Sequence, residues 1–454
     1  MHPWGEDELR HADLGDKRLN KRFIWTVAKL AARPEASVPE ACDGWAETKA
    51  IYRFWSSRVK PEAIRHVHQQ STLERVSGLA TVLVVQDTTD VDFTHHPATQ
   101  GLGYLDIVSH QGLKMHSALA VSVHGVPLGL LHQEVWARDA QELGKRHSRR
   151  QRETKEKESQ RWLSALQATQ EAVPQAVRTI TIADQEADIY DLMVLPRRAG
   201  SELLIRACHD RRVSGEARYL WETIRRQPVL ERYSLNLQRK EDKPARVATV
   251  GIRYGSVEIA PPRHRKRRAE LKAVRLNVVL VEEEEPPAEE KPIRWLLLST
   301  LPIDSLEAAK QAVHWYTFRW LIERYHYVLK SGCRVEHLQL ETADRLQRAL
   351  ATYCVVAWRL LWLTYEARRA PDTPCDQILS TEEWQCLYSA THRSAKPPTK
   401  PPTLHEAVRW IAQLGGFLGR KHDGEPGVKT IWRGLARLND IMVGWSLAHP
   451  QPST

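Results

Sequence analysis

The chain has 454 residues, 42% of them hydrophobic, a length that calls for more than one core and a composition that excludes wholesale disorder. Its longest uncharged apolar run, Ala349 to Trp358, is bounded by Arg348 and Arg359; it falls far short of the roughly 20 residues that span a bilayer and reads as a buried helix. Lys and Arg number 66 against 56 Asp and Glu, a net charge of +10, which favours a polyanionic partner without identifying one.

The start, with Glu6, Asp7, Glu8, Asp13 and Asp16, lacks the basic-then-apolar form of a secretory leader, so a cytoplasmic location is expected. Cys42, Cys208, Cys333, Cys354, Cys375 and Cys386 include no Cys-x-x-Cys pair, and reduced structural thiols are expected rather than a zinc knuckle or a disulfide framework. Tryptophan occurs 16 times; most of these rings belong to cores, although an aromatic face can also stack on a base.

Residues 1 to about 72 read as a helical unit, with a turn at Arg33-Pro34, a second helix from near Asp43, and a third opened by Pro61 at its first position. Lys17, Arg18, Lys21 and Arg22 fall at helical spacing and Tyr52-Arg53-Phe54 comes later, a pattern that suits DNA-backbone contacts and equally a solvated helix face. From Leu79 the pattern changes to strands at Thr81–Val85, Lys114–Val123 and Leu128–Trp136, the last two joined by a turn containing Gly125. A polar helix over 153–171, a strand Val177–Ala183, a helix from Ala187 and a strand Glu202–Ala207 complete a mixed α/β layer.

Between about 210 and 293 the chain alternates and becomes charged, as expected of an antiparallel β insertion. Its loops carry the basic run 263–268 and the acidic run Glu282 to Glu285 with Glu289 and Glu290. After the strand Arg294–Ser299 come one long helix over about Ser305–Lys330 and further helices from Thr342 to Arg368. A Pro-rich linker over about 371–402 then precedes a last helical segment interrupted at Leu414-Gly415-Gly416.

Two strands end in aspartate. Asp87 comes just after Thr81–Val85, and Asp184 just after Ile180-Thr181-Ile182-Ala183. If those strands are neighbours, both carboxylates project from one sheet edge, where hard cations such as Mg²⁺ find the oxygen ligands they prefer. In the helix beyond residue 305, Arg319, Glu323 and Lys330 lie 3, 7 and 14 residues after Tyr316, which at about 100° per residue places all four within roughly 60° of arc. Glu323 is then a third ligand, with Arg319 and Lys330 on phosphate oxygens. Asp90, Asp92, Glu134, Glu186 and Asp188 remain rival carboxylates nearby.

The spacing of Tyr316, Arg319, Glu323 and Lys330 resembles the Tyr-x2-Arg-x3-Glu-x6-Lys signature of the insertion-sequence-four (IS-four) family of DDE cut-and-paste transposases. Gln86-Asp87-Thr88-Thr89, Gly129 to Glu134, Asp184 to Ile189, Trp295 to Leu298 and Leu414 to Phe417 also look like the family, as do Leu14-Gly15-Asp16 and Tyr52-Arg53-Phe54. The resemblance therefore runs nearly end to end in the same order.

The resemblance implies an α/β, RNase H-like (retroviral-integrase-like) catalytic core over 73–370, with the β insertion at about 210–293. An N-terminal helical DNA-binding domain over 1–72 and a C-terminal helical dimerisation domain over 371–454 would flank it. It implies two Mg²⁺ ions per site, with Mn²⁺ as a substitute, on Asp87, Asp184 and Glu323. It also implies nicking at double-stranded transposon ends, hairpin formation and opening, and strand transfer into target DNA by a homodimer in a synaptic complex. By position, Arg206, Tyr316, Arg319 and Lys330 would hold end phosphates, Trp295 would support a flipped base with Trp320 stacked nearby, and Arg53 would contact DNA.

Tyr327 and Tyr190 stand where a cut-and-paste member has lysine and histidine, so the details of end binding differ. A metal-dependent nuclease without strand transfer and a catalytically silent end-binding protein of the same descent are the alternative readings. Intact Asp87, Asp184 and Glu323 count against the second.

Overall fold

The structure, a computed structural model, describes residues 3–144, 152–214, 217–237, 246–263, 270–288 and 292–448. In chain order the elements are α1 (Pro3–Glu8), α2 (Lys17–Ala32), α3 (Val38–Ala41), α4 (Trp45–Trp55), α5 (Pro61–Ser77), β1 (Thr81–Asp92), β2 (Gly103–Tyr104), β3 (Gln111–Ser122) and β4 (Pro127–Trp136). Next come α6 (Gln160–Ala172), β5 (Arg178–Ala183), α7 (Tyr190–Val194), β6 (Ser201–Arg206), α8 (Leu220–Arg225), β7 (Glu231–Leu237), β8 (Arg246–Ile259), β9 (Val274–Glu283) and β10 (Arg294–Ser299). The chain ends with α9 (Leu306–Thr317), α10 (Trp320–Tyr327), α11 (Ala343–Arg369), α12 (Thr381–His392), α13 (Leu404–Leu414) and α14 (Val428–Ala448). No helix among the described residues is long and apolar enough to cross a membrane.

The chain divides into two compact units. One comprises Met1–Gly78, Thr88–Gln141 and Leu321–Thr454; the other comprises Leu79–Asp87 and Glu142–Trp320. The division falls inside β1 at Asp87 and inside α10 at Trp320.

The first unit is built around α11. Leu346, Leu350, Tyr353, Val356, Ala357, Leu360 and Leu361 are all buried on it, because α2, α5, β4, α13 and α14 pack around its circumference. The apolar run read from the sequence is thus a core helix. Thr352 and Arg348, buried on it, are paired, as burial requires: Trp55 Nε1 donates to Thr352 Oγ1 at 3.2 Å, and Arg348 donates to Val59 O at 2.6 Å and to Asp344 Oδ2 at 2.6 Å.

Buried Glu8 lies 2.6 Å from His68 Nδ1 and accepts from Arg75 Nη1 at 2.7 Å. His68 Nε2 accepts the Leu130 N–H at 3.1 Å, so this imidazole is neutral with its proton on Nδ1. Burial works to raise the Glu8 carboxyl, but His68 and Arg75 outweigh it and hold the group below the usual carboxylate range. Burial also lowers His68. Both groups therefore stabilise the fold above their unfolded pKa values, and the stabilisation is lost as the pH falls through the folded ones.

The second unit holds a mixed sheet in the order β1-β5-β6-β10-β9-β8-β7. β1, β5 and β6 run parallel, and β10 turns the sheet antiparallel against β6. Trp162, Leu163 and Leu166 of α6 cover Ala183, Leu203 and Ile205, whereas Leu220 and Ile224 of α8 pack on Val257, Ile259, Leu276, Val278 and Leu280 of the insertion. The antiparallel insertion expected at 210–293 is present as β7–β9. Residues 264–268 of its basic run, with Glu289 and Glu290, lie outside the described residues.

Three expectations change. The helix expected over 305–330 is not continuous: the Phe318 and Arg319 N–H groups bond back three residues, to Trp315 O and Tyr316 O at 3.0 Å, which tightens one turn between α9 and α10. The next irregularity is a π-turn at Val328–Gly332. The helix expected from Ala187 is a 3-10 turn at Gln185–Ala187 followed by the five-residue α7. The Pro-rich linker contains α12, whose capping box joins Ser380 to Glu383.

The α13–α14 crossing requires glycine. A Cβ on Gly434 would fall 1.7 Å from Ile411 O, whereas one on Gly444 of the same helix meets nothing within 4 Å. Gly434→Ala should destabilise the protein by about 1–3 kcal/mol, and Gly444→Ala should stabilise it by roughly 0.5–1 kcal/mol. Denaturant titrations giving both variants the same sign would contradict this crossing.

Candidate active site

β1 does not end at Asp87 as expected but runs on to Asp92, whereas Asp184 directly follows the end of β5; the parallel register relates the two aspartates. Val85 pairs with Ile182 on β1 and β5, and Ala183 pairs with Ile205 on β5 and β6. Continuing by two and by one residue sets Asp87, Asp184 and Arg206 in one lateral row across three neighbouring strands. Residues in such a row face the same side of a sheet. Asp87 and Asp184 are both partly exposed there. Asp184 also caps the following 3-10 turn, its Oδ1 accepting the Glu186 N–H at 2.8 Å.

Other predicted residues of the second unit gather at the same row. Arg206 pairs with Leu297 on β10, two residues from Trp295 and therefore on its face of the sheet, and Arg206 Nη2 donates to Arg294 O at 3.0 Å. The Trp295 and Tyr316 rings meet edge to face at 5.6 Å. Tyr316, at the end of α9, is buried, and burial pushes its phenol up to about 12; Arg319 and Arg206 pull against that rise and Asp184 adds to it. The phenol is consequently a neutral donor at physiological pH, lying within the electrostatic reach of one carboxylate and two guanidinium groups. Trp320, partly exposed, ends this unit.

Glu323, Lys330 and Arg53 belong to the first unit. Glu323 sits partly exposed on α10. Lys330 lies in the π-turn with its ammonium 3.2 Å from Glu336, and Arg53 is exposed on α4. No group of three or more His, Cys, Asp or Glu side chains gathers at metal-binding distances among the described residues.

Most rival carboxylates are engaged in local structure. Asp188 is fully buried: Oδ2 accepts the Cys208 and His209 N–H groups at 2.8 and 2.9 Å, while Oδ1 accepts from Arg211 Nε at 2.7 Å. Asp90 pairs with Lys114 at 2.5 Å, and Asp92 accepts from the Thr94 N–H and binds His110, both at 2.8 Å. Glu134 lies 3.2 Å from His132. Glu186, whose backbone N–H bonds Asp184, is exposed. Sequence spacing missed Glu336, because nothing local marks a carboxylate that the chain folds back toward Lys330.

Two stretches of the chain, one near each end, match known families. Residues 1–59 match the transposase DNA-binding family, and residues 355–451 match the Tn5 transposase dimerisation domain. Together the two matches support a Tn5-like transposase.

The stretch matching the DNA-binding family includes α2, where Phe23, Val27 and Leu30 are buried while Lys17, Arg18 and Lys21 are exposed. It also includes exposed Arg53. The dimerisation module begins within α11 and takes in α12 to α14.

Asp188 and Asp184 differ by four positions in the motif but play opposite parts in the geometry. Asp188→Ala strands the buried Arg211 guanidinium and should cost about 3–5 kcal/mol. Asp184→Ala at the partly exposed row should change stability by less than about 1 kcal/mol. Urea unfolding of the two variants checks the contrast, and comparable losses would remove the distinction.

Proposed function

We propose that this protein is an active cut-and-paste transposase whose RNase H-like core cuts and rejoins DNA through Asp87, Asp184 and Glu323. What supports it is the register of β1, β5 and β6, which, carried on past the last paired residues, brings Asp87, Asp184 and Arg206 level with one another. Glu323 enters from the family signature at Tyr316, Arg319, Glu323 and Lys330. The catalytic domain would occupy 73–370, between the helical domains at 1–72 and 371–454.

The donor chemistry suits a hard divalent cation, since all three side chains offer carboxylate oxygens. Two Mg²⁺ ions, or Mn²⁺ in their place, would supply activation of the attacking oxygen and charge stabilisation of the leaving one. The protein's own groups do the rest. Arg206, Arg319 and Lys330 hold the end phosphates, with the guanidinium groups giving two-pronged contacts. The Tyr316 phenol, kept protonated, donates to a phosphate oxygen.

In this reading water first hydrolyses one strand at the transposon end and frees a 3′-hydroxyl. That hydroxyl attacks the opposite strand to form a hairpin, a second water opens the hairpin, and the restored 3′-hydroxyl attacks target DNA. Each step exchanges one P–O bond for another, so no redox partner is required. A hairpin needs a base out of the stack, and an aromatic face replaces the stacking it loses. Trp295, braced edge-on by Tyr316, is assigned that support, with Trp320 nearby. The homodimer would hold two ends in a synaptic complex before target capture.

Two experiments test the proposal. Asp87→Ala, Asp184→Ala and Glu323→Ala should each bind end DNA as the unaltered protein does and lose cutting by at least about 10³-fold when Mg²⁺ is added; cutting retained by any one means that ligand is misassigned. Trp295→Ala should slow hairpin formation about tenfold more than first-strand nicking in a gel time course, consistent with roughly 1–3 kcal/mol of base stacking. Equal slowing of both steps would exclude base support.

A further inference from the structure

Lys330 is held in an unusual way. It lies in a π-turn, a backbone form that often marks functional positions, and the residues on its C-terminal side fix that turn. A Cβ on Gly332 would meet the Trp432 ring at 2.9 Å, and Arg334 adopts the left-handed conformation at φ 49°. The chain then doubles back into the 3-10 turn Val335–His337, bringing the Glu336 carboxylate to 3.2 Å from the Lys330 ammonium.

The scaffold, rather than Lys330, positions this carboxylate. Glu336 Oε1 also accepts the Asp92 N–H at 3.0 Å, and Glu336 O is bonded to His96 Nε2 at 2.9 Å. Beyond it, Thr99 Oγ1 donates to Leu340 O and the Gln100 N–H to Glu341 O, both at 2.8 Å. His326, which feels the Lys330 charge, is pushed by burial and by that charge down to about 3; it is neutral and adds no cation. Glu336 is therefore a fixed anion facing the lysine, and its oxygen is the same kind of acceptor that a phosphate offers an ammonium.

We propose that Glu336 is a built-in counter-ion that occupies Lys330 in the DNA-free protein, must yield it to a DNA phosphate, and so weakens binding to DNA in general. This rests on the reading of Lys330 as a phosphate contact. A phosphate reaching Lys330 must displace or share the ammonium while approaching a negative charge that the backbone holds in place. Glu336 is thus a positioning and selectivity residue that touches no reacting atom.

The test uses the full chain, a fluorescent random-sequence duplex and no divalent metal, with affinity measured across a salt series. Glu336→Gln keeps an oxygen for the Asp92 N–H and removes the charge. It should bind the duplex about three- to tenfold more tightly at low salt, with a log–log salt slope steeper by about one. The gain should vanish in the Lys330→Ala/Glu336→Gln double variant. Unchanged or weaker binding by Glu336→Gln overturns the proposal, as does a gain that survives loss of Lys330, which would be a general effect of net charge.

If Lys330→Ala weakens binding but Glu336→Gln does not strengthen it, only the counter-ion role is lost. If Lys330→Ala changes binding in neither background, the phosphate-contact reading falls as well. Should Glu336→Gln prove unstable by thermal melting, Glu336→Asp withdraws the carboxylate by one methylene. It should show a smaller gain of the same sign, and no gain there overturns the proposal.

Discussion

The candidate chemistry depends on one constraint, the shared register of β1, β5 and β6. Parallel strands pair in step, so two carboxylates each placed two residues beyond a paired position must stand side by side on one face. Neighbouring strands run about 4.8 Å apart, and two unit negative charges near that distance repel by roughly 3 kcal/mol at an effective dielectric constant of 20. Such a pair is a poor structural feature in isolation. It becomes favourable when positive charge is brought to it. The same logic separates Asp184 from Asp188: one remains partly exposed at a strand end, whereas the other is buried with three donors and holds the loop after β6.

Much of this architecture was legible because the strong signals were local. The strand that stops before Asp184, Pro61 at the start of a helix, and the apolar run within α11 each reappear close to the expected places, whereas the strand expected to stop before Asp87 runs on to Asp92. The illegible parts came from contacts distant in the chain. Lys114 pairs with Asp90 and His110 with Asp92, contacts that nothing local in the sequence announces. α12 was obscured by its proline-rich flanks, although Ser380 and Glu383 have the spacing of a capping box.

The segment from Tyr316 to Lys330 shows how a motif read on an ideal helix can rest on an incomplete geometry. A uniform 100° per residue aligns its four polar groups, but the backbone tightens at Phe318–Arg319 and widens again at Val328–Gly332. Nothing in the local sequence demands either change: no proline interrupts the stretch, and Gly332 stands at its end. The widening has a tertiary cause, since only glycine permits the approach of Trp432. Family resemblance identified the four residues, while the backbone determines where each one points. A rotamer argument drawn on an ideal helix would misplace Lys330 most, because it lies beyond both irregularities.

The two matched modules are not separate folding bodies. The DNA-binding match and the dimerisation match lie in one unit, and α11 is common to their packing. Arg359 of α11 lies between the rings of Trp4 and Trp362 at 5.1 and 4.8 Å, while Arg33 pairs with Asp440 of α14 at 2.6 Å. Burial, partly offset by Glu383 and Glu8, lowers Arg359 to about 10, so it stays charged and must keep its partners. Truncating either end would leave such groups uncompensated, at a cost of several kcal/mol for a buried charge. The residues that meet DNA and those that meet a second copy are therefore stabilised by the same core. A substitution at either end that loosens α11 should affect both activities without touching either surface.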